Sequence, residues 1–146
     1  MERYTFPATI AHDPGDARFW MASFRDVPGA HTGGRTREAA AARAGDCLAT
    51  AIEACLEDGR AVPQPSRPRK GEVLIPLEPS LAAKAAVIEA FRSSGLTQAA
   101  LAKRLGIDAR EVRRLHDPTA PSKMGTLANA AEALGIRLVI TVRAAA

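Results

Sequence analysis

The stretch LTQAALAKRLGIDAREVRRL, from Leu96 to Leu115, constrains the fold of this chain more than any other segment. Thr97 can cap a helix that begins at Gln98, and Gly106 can take the positive φ that a tight turn requires. Apolar residues recur at helical spacing on both sides of that turn, at Leu101, Leu105, Ile107, Val112 and Leu115. The pattern predicts two short helices that cross steeply at Gly106, as in a helix-turn-helix motif.

The second predicted helix carries several arginines on its solvent side. Its apolar positions are taken by Val112 and Leu115. That leaves three arginines outside, Arg110, Arg113 and Arg114. Because the arginine fork can bind guanine O6 and N7 or a phosphate, we expect Arg110 and Arg113 to contact bases in a major groove. The alternative is an arginine-bearing helical bundle that contacts only other proteins.

Residues at the starts of neighbouring helices are suited to phosphate contacts, because backbone N–H groups are free there. Gln98 begins one helix, and Ser122 with Lys123 begins another that should end at Gly135. His116, at the end of the second helix, could also contact a phosphate. The complete predicted DNA-binding set is Thr97, Gln98, Ala109, Arg110, Arg113, Arg114, Ser122 and Lys123.

The positive charge of the chain is confined to its C-terminal half. Residues 1–66 have seven Lys and Arg against nine Asp and Glu, a net charge of −2. Residues 67–146 have thirteen against seven, a net charge of +6. A basic half joined to a mildly acidic one indicates a polyanionic partner for the former and a different partner for the latter.

The N-terminal half has the pattern of a small sheet followed by one helix. Polar and apolar residues alternate over residues 4–10 and again over 19–25, and a short third strand follows through 30–33. Thr36 can cap a helix that ends at Gly59. The predicted buried face of this helix is Ala41, Ala44, Leu48, Ile52, Cys55 and Leu56.

Two domains are predicted on either side of a proline-rich connector. Residues 60–71, RAVPQPSRPRKG, hold three prolines and have almost nothing to bury, so they should be extended. We place the first domain at residues 1–66, the linker at 67–71 and the second domain at 72–146. A small sheet with a helix, joined to a helical domain with flanking short strands, gives an α+β fold class.

Two short apolar runs flank the helices of the second domain, at residues 73–77 and 136–142. The latter alternates, with Ile136, Leu138, Ile140 and Val142 on one face. Because a two-stranded ribbon alone is marginal, we expect these strands to pair within a homodimer or higher oligomer, either directly or exchanged between chains. A dimer also suits a protein that reads two half-sites one helical turn apart, ~34 Å.

The segments just described resemble two known families. Residues 96–115 look like the Xre/Cro type of helix-turn-helix repressor domain. The N-terminal half resembles HicB antitoxins in the aromatic strand, FRDVPGAHTGG, TREAAA, Gly59 and VPQPS, although Arg25 stands where that family more often has proline and Ala30 where cysteine is frequent. The order of the two parts is that of HicB antitoxins with a DNA-binding domain.

This resemblance implies a partial ribonuclease-H-like N-terminal domain that binds and blocks a HicA-type toxin, a small protein that cleaves messenger RNA. It also implies a C-terminal domain that represses the shared operon by binding double-stranded operator DNA. For the toxin contact we single out the strand of Trp20 and the start of the Thr36 helix. The candidate toxin-binding residues are Trp20, Phe24, His31 and Arg35.

The sequence does not predict catalysis, a metal or a cofactor. A ribonuclease-H-like site needs converging carboxylates, and the first strand has none. The three histidines lie in no nucleophile pattern, and Cys47 and Cys55, eight residues apart on one helix, are too distant for a disulfide. With no apolar run of ~18 residues and no signal pattern, we expect the cytoplasm. Two other readings stay open, a ligand-sensing helix-turn-helix regulator and a nuclease.

Overall fold

The computed structural model describes residues 2–144, and the chain divides into two compact units, Met1–Glu78 and Pro79–Ala146. The first unit contains a four-stranded antiparallel sheet and one long helix, and the second contains four helices. The predicted α+β class is therefore confirmed. The sequence placed the domain boundary between residues 66 and 72, whereas in the structure this stretch lies within the first unit.

The sheet of the N-terminal unit has the strand order β3-β2-β1-β4. The first three strands are β1 (Thr5–His12), β2 (Trp20–Ser23) and β3 (His31–Gly34), close to the predicted positions. The fourth is β4 (Val73–Pro76), which pairs with β1 in the register Phe6↔Ile75. β3 and β4 are thus the two edges of the sheet.

Helix α1 (Arg37–Glu57) covers one face of the sheet, chiefly at β3 and β2. Its N-cap is Thr36, as predicted, and the Thr36 hydroxyl accepts a hydrogen bond from the Ala39 N–H at 3.0 Å. The buried residues of α1 match the prediction except that Ala40 replaces Ala41. The strand residues that share this buried core are Phe6, Ala8, Ile10 and Ala22.

Gly34 is the place where β3 and α1 approach most closely. A Cβ atom at Gly34 would lie 2.8 Å from the Ala40 nitrogen and 2.9 Å from the Ala39 Cβ. Neither the backbone nor a methyl group on the facing helix can rotate away from such a contact. Glycine at this position therefore sets how tightly the helix packs on the sheet.

The pairing predicted for residues 73–77 is wrong. They were expected to pair with residues 136–142, but β4 pairs with β1 and completes the N-terminal sheet. The proline-rich connector that leads to β4 was predicted to be extended with almost nothing to bury. Residues 60–69 have no regular secondary structure, but Val62 and Pro65 are buried in the first unit. Its prolines thus guide the chain along the N-terminal unit to the far edge of the sheet.

The C-terminal unit consists of α2 (Pro79–Ser94), α3 (Gln98–Leu105), α4 (Ala109–His116) and α5 (Met124–Ala133). The last three lie where the sequence predicted helices. Their core contains Ala83 and Val87 of α2, Leu115 of α4 and Leu127, Ala130 and Ala131 of α5. Leu105, Ile107, Met124, Leu134, Ile136 and Leu138 pack around it.

The segment after α5 does not form the predicted strand within the chain. Residues 136–144 have no regular secondary structure, although Ile136 and Leu138 pack against the helical core. Beyond them Val139, Ile140 and Val142 are 81%, 63% and 91% exposed. In residues 2–144 no helix is both long and apolar enough to cross a bilayer.

Candidate functional site

Three capping residues hold helices α3 and α4 in place, and the sequence predicted two of them, Thr97 and Gly106. The Thr97 hydroxyl accepts from the Ala100 N–H at 3.1 Å, and the Asp108 carboxylate accepts from the Glu111 N–H at 2.8 Å. Between them Gly106 has φ 64° and ψ 32°, the left-handed conformation that ends α3. These local contacts fix where α3 stops and where α4 restarts.

The solvent side of α4 carries the predicted arginines. Val112 and Leu115 are buried, whereas Arg110, Arg113 and Arg114 are exposed. Within residues 2–144, no salt bridge engages any of these three guanidinium groups. The helix therefore presents a row of cationic forks that can bind an external anion.

The other predicted DNA-binding residues lie at the beginnings of helices. Gln98 is the first residue of α3 and Ala109 is the first residue of α4, and both are exposed. Lys123 is the N-cap position of α5 and is exposed, while Ser122 beside it is half-buried. Thr97 is exposed as well, with its hydroxyl engaged in the cap.

Two further basic residues were not singled out from the sequence. Lys103 and Arg104, in the last turn of α3, are exposed on the same unit as the α4 arginines. Arg104 donates a long hydrogen bond to the Ala133 carbonyl at 3.4 Å, which ties α3 to the end of α5. The positive net charge of residues 67–146 indicated that the C-terminal unit has a basic surface. It did not indicate that Lys103 and Arg104 are part of that surface.

His116 is not available for a phosphate contact. Its Nδ1 lies 2.7 Å from the Val112 carbonyl oxygen, and its ring meets the Phe91 ring edge-on with centroids 4.1 Å apart. Its Nε2 is buried and has no hydrogen-bond partner among the described residues. The suggestion that His116 reaches DNA is therefore wrong in this conformation, because both ring nitrogens face the protein.

The four predicted toxin-binding residues do not lie together on one surface. Phe24 is in the core, 3% exposed. Trp20 is half-buried and stacks on His12 with ring centroids 3.9 Å apart. His31 is exposed at the other end of the β2–β3 ladder, where it pairs with Ser23. Since side chains alternate along a strand, Trp20 and His31 point to opposite faces of the sheet.

Arg35, the fourth of these residues, lines an open cavity of about 550 Å³ beside β3. Phe19 and Met21 also line it, and Phe19 is a large apolar side chain that is 39% exposed. Arg43 of α1 also lines the cavity and donates to the Gly33 carbonyl at 2.9 Å. We call Phe19, Met21, Arg35 and Arg43, which all line this cavity, the β3-edge surface.

Phe19, Met21 and Arg43 were not among the toxin-binding residues predicted from the sequence. Alternation could have indicated the first two, because a strand with Trp20, Ala22 and Phe24 on one face must place residues 19 and 21 on the other. Arg43 had no such signal, since only the packing of α1 brings its guanidinium to β3. Among residues 2–144, no group of three His, Cys, Asp or Glu side chains converges to hold a metal ion.

Comparisons with known proteins cover both units. A family model described as the HicB_like antitoxin of bacterial toxin-antitoxin system matches residues 5–86, the sheet unit and the beginning of α2. Antitoxin HicB 2 of Photorhabdus laumondii subsp. laumondii is 38% identical over 133 residues, 91% of this chain and 92% of that protein. Antitoxin HicB of Escherichia coli strain K12 is 34% identical over 137 residues, 94% of this chain and 98% of that protein.

Proposed function

The chain belongs to the HicB-like antitoxin family of bacterial toxin-antitoxin systems, and from this premise we propose two linked activities. The N-terminal unit binds and neutralises a HicA-type toxin that cleaves messenger RNA. The C-terminal unit binds operator DNA through a helix-turn-helix formed by α3 and α4 and represses the operon that encodes both proteins. The toxin, rather than this chain, carries the catalytic activity.

The observation that carries the DNA-binding proposal is the exposed arginine row of α4. The buried side chains of Val112 and Leu115 pack α4 against the rest of the C-terminal unit, and the left-handed turn at Gly106 separates α4 from α3. An α-helix with cationic forks on its outer face fits a major groove, where arginine recognises guanine. The start of α5 at Lys123 supplies a phosphate contact that fixes the register of the protein on the duplex.

For the toxin contact we propose the β3-edge surface. It combines exposed apolar area from Phe19 with cationic side chains from Arg35 and Arg43, and aromatic and arginine residues are enriched in protein interfaces. β3 is also an edge strand, so part of its backbone is open to a partner. This surface replaces the predicted set that included the buried Phe24.

We further propose that the chain forms a homodimer through residues 136–143. Val139, Ile140 and Val142 are exposed apolar side chains on a segment that pairs with no strand among residues 2–144. Pairing of this segment with its copy would remove Ile140 and Val142, which share one face of a strand, from water and complete a two-stranded ribbon. Two C-terminal units joined in this way could read two half-sites.

Co-expression tests the antitoxin activity directly. The gene beside the one for this chain is cloned if it encodes a short basic protein, and it is expressed alone and together with this chain. We expect arrest of growth in the first case, recovery in the second, and a complex that copurifies. Arg35→Glu should abolish recovery, whereas Arg113→Ala, on the other unit, should leave it intact. Toxicity that persists beside the wild-type chain would contradict the proposal.

A further inference from the structure

Lys84 is a charged residue that the C-terminal unit buries almost completely. It lies on α2 between the buried residues Ala83 and Ala85, and it is 3% exposed. Removal from water lowers the pKa of the Lys84 ammonium, and the Asp117 carboxylate acts in the opposite direction. An apolar side chain of similar length would avoid this desolvation, so the contacts of the ammonium need an explanation.

The ammonium donates to three backbone carbonyls, one in the last turn of α4 and two in the loop that follows it. Lys84 Nζ is 3.0 Å from the Arg114 oxygen and 2.9 Å from the Asp117 oxygen, and it also donates to the Ala120 oxygen. Three N–H groups therefore meet three acceptors, which is the full donor capacity of a lysine. The last carbonyls of a helix lack partners within the helix and carry its negative end, so a cation is favoured there.

These acceptors belong to the two segments proposed to face DNA. Arg114 is in the last turn of α4, directly after Arg113. Asp117 and Ala120 lie in the loop that leads to Lys123 at the start of α5. One buried side chain of α2 is thus bonded to the end of the arginine helix and to the loop before the phosphate-facing residue.

Apolar packing alone would not fix this arrangement. Val112 and Leu115 hold α4 against the core, but hydrophobic contact is non-directional and permits sliding or rotation of a helix of eight residues. Hydrogen bonds to three carbonyls are directional, and they fix the axial position of α4 relative to α2. Such precision matters for base contacts, which depend on groups placed within fractions of an ångström.

We propose that Lys84 is a positioning residue for DNA reading: its ammonium holds the end of α4 and the 117–123 loop in one register, so that the arginines of α4 and Lys123 engage the same duplex together. This inference rests on the proposed DNA-binding function. Lys84 itself touches no DNA, because its side chain is buried.

The test compares the full chain with two variants, Lys84→Met and Ile88→Ala. Lys84→Met keeps the length of the side chain and removes the three donors. The Arg114 and Asp117 oxygens still accept from the Asp117 and Ala120 N–H groups, at 3.3 and 3.2 Å, so the loop keeps part of its own bonding. Ile88→Ala removes buried aliphatic volume one turn further along α2 and serves as a control for lost stability.

Two readouts separate positioning from general destabilisation. The first is hydrogen–deuterium exchange of the amides in residues 114–123. The second is the ratio of affinities for two duplexes, the DNA directly upstream of the gene for this chain and a shuffled duplex of the same composition. We expect Lys84→Met to speed exchange in this segment selectively and to lower the affinity ratio about tenfold, as misplacing a base contact should. Ile88→Ala should leave the ratio within about twofold.

Equal exchange and an equal ratio in wild type and Lys84→Met would overturn the inference, as would the same loss of ratio in Ile88→Ala. A wild-type chain that binds both duplexes equally would instead overturn the proposed DNA reading. The exchange measurement still decides in that case whether Lys84 holds the 114–123 segment, so the two failures are distinguishable.

Discussion

Arg25 and Glu72 lie 47 positions apart in the sequence, yet Arg25 Nε donates to Glu72 Oε1 at 2.7 Å. The same guanidinium donates to the Ser66 hydroxyl and, at 2.7 Å, to the Arg67 carbonyl. Asp26, next to Arg25, accepts from the Ser66 N–H at 2.8 Å. The turn after β2 therefore fastens the proline-rich connector, which holds β4 in place beside β1.

This ion pair predicts a pH dependence of stability. Hydrogen bonds from Arg25 and from the Arg69 N–H lower the pKa of Glu72 from 4.5 to about 2. Since a lowered carboxyl pKa stabilises the fold only while the group is ionised, the contribution of Glu72 is complete above pH 4.5 and is lost as the pH falls towards 2. Thermal melts of wild type and Glu72→Gln should differ most at neutral pH and converge in acid. A constant difference across that range would contradict the assignment.

Gly34→Ala should destabilise the N-terminal unit. The added methyl would overlap the Ala40 nitrogen and the Ala39 Cβ, and overpacking of this kind costs about 1–3 kcal/mol. Gly45→Ala is the matched control, because Gly45 lies inside α1 and has no atom within 4 Å of its added Cβ. It should stabilise the helix by roughly 0.5–1 kcal/mol. Urea unfolding of the two variants gives both values, and equal effects would refute the close-approach argument.

Gly106→Ala should destabilise the C-terminal unit by about 1–2 kcal/mol, because an L side chain is strained in the left-handed region. Gly125→Ala, at a helical position with no atom within 4 Å of its added Cβ, should cost nothing. Chemical denaturation followed by circular dichroism would measure the difference. If both alanines are tolerated alike, the turn does not depend on the conformation of Gly106.

Arg110→Ala and Arg113→Ala should each cost ~1–3 kcal/mol of binding free energy at one base position. Lys123→Ala should instead weaken binding to all sequences and reduce the salt slope of log K by about one unit, since it removes a phosphate contact. Titration of operator and random duplexes at several salt concentrations separates these behaviours. Equal losses of both arginine variants on the two duplexes would exclude base reading by Arg110 and Arg113.

Ile140→Lys combined with Val142→Lys should shift the chain from dimer to monomer. The two side chains are 63% and 91% exposed, so the substitutions disturb the folded unit little and put charge into the proposed ribbon. Thr141→Lys, of the opposite parity, is the control that should leave the dimer intact. Sedimentation equilibrium over a range of protein concentrations would measure association. An unchanged dimer in the double variant would rule out this interface.

Local signals predicted the helices of this protein well. Thr36 and Thr97 cap helices as expected, and Gly106 takes the left-handed conformation. The outward placement of Arg110, Arg113 and Arg114 also followed from the spacing of Val112 and Leu115. These features depend on residues within one or two helical turns of each other, so the sequence pattern alone is enough to predict them.

The tertiary structure decided the features that join distant segments. A short apolar run marked residues 73–77 as a strand, but it could not say that β1 rather than residues 136–142 is the partner of that strand. Nor could the sequence show that Arg43 lies beside β3. Lys84 gave no sign in the sequence of its three carbonyl acceptors, the farthest 36 positions away. Hydrophobic periodicity tells which side of an element is buried, whereas the partner is chosen by loop paths, shape and hydrogen bonds that form only when the chain has folded.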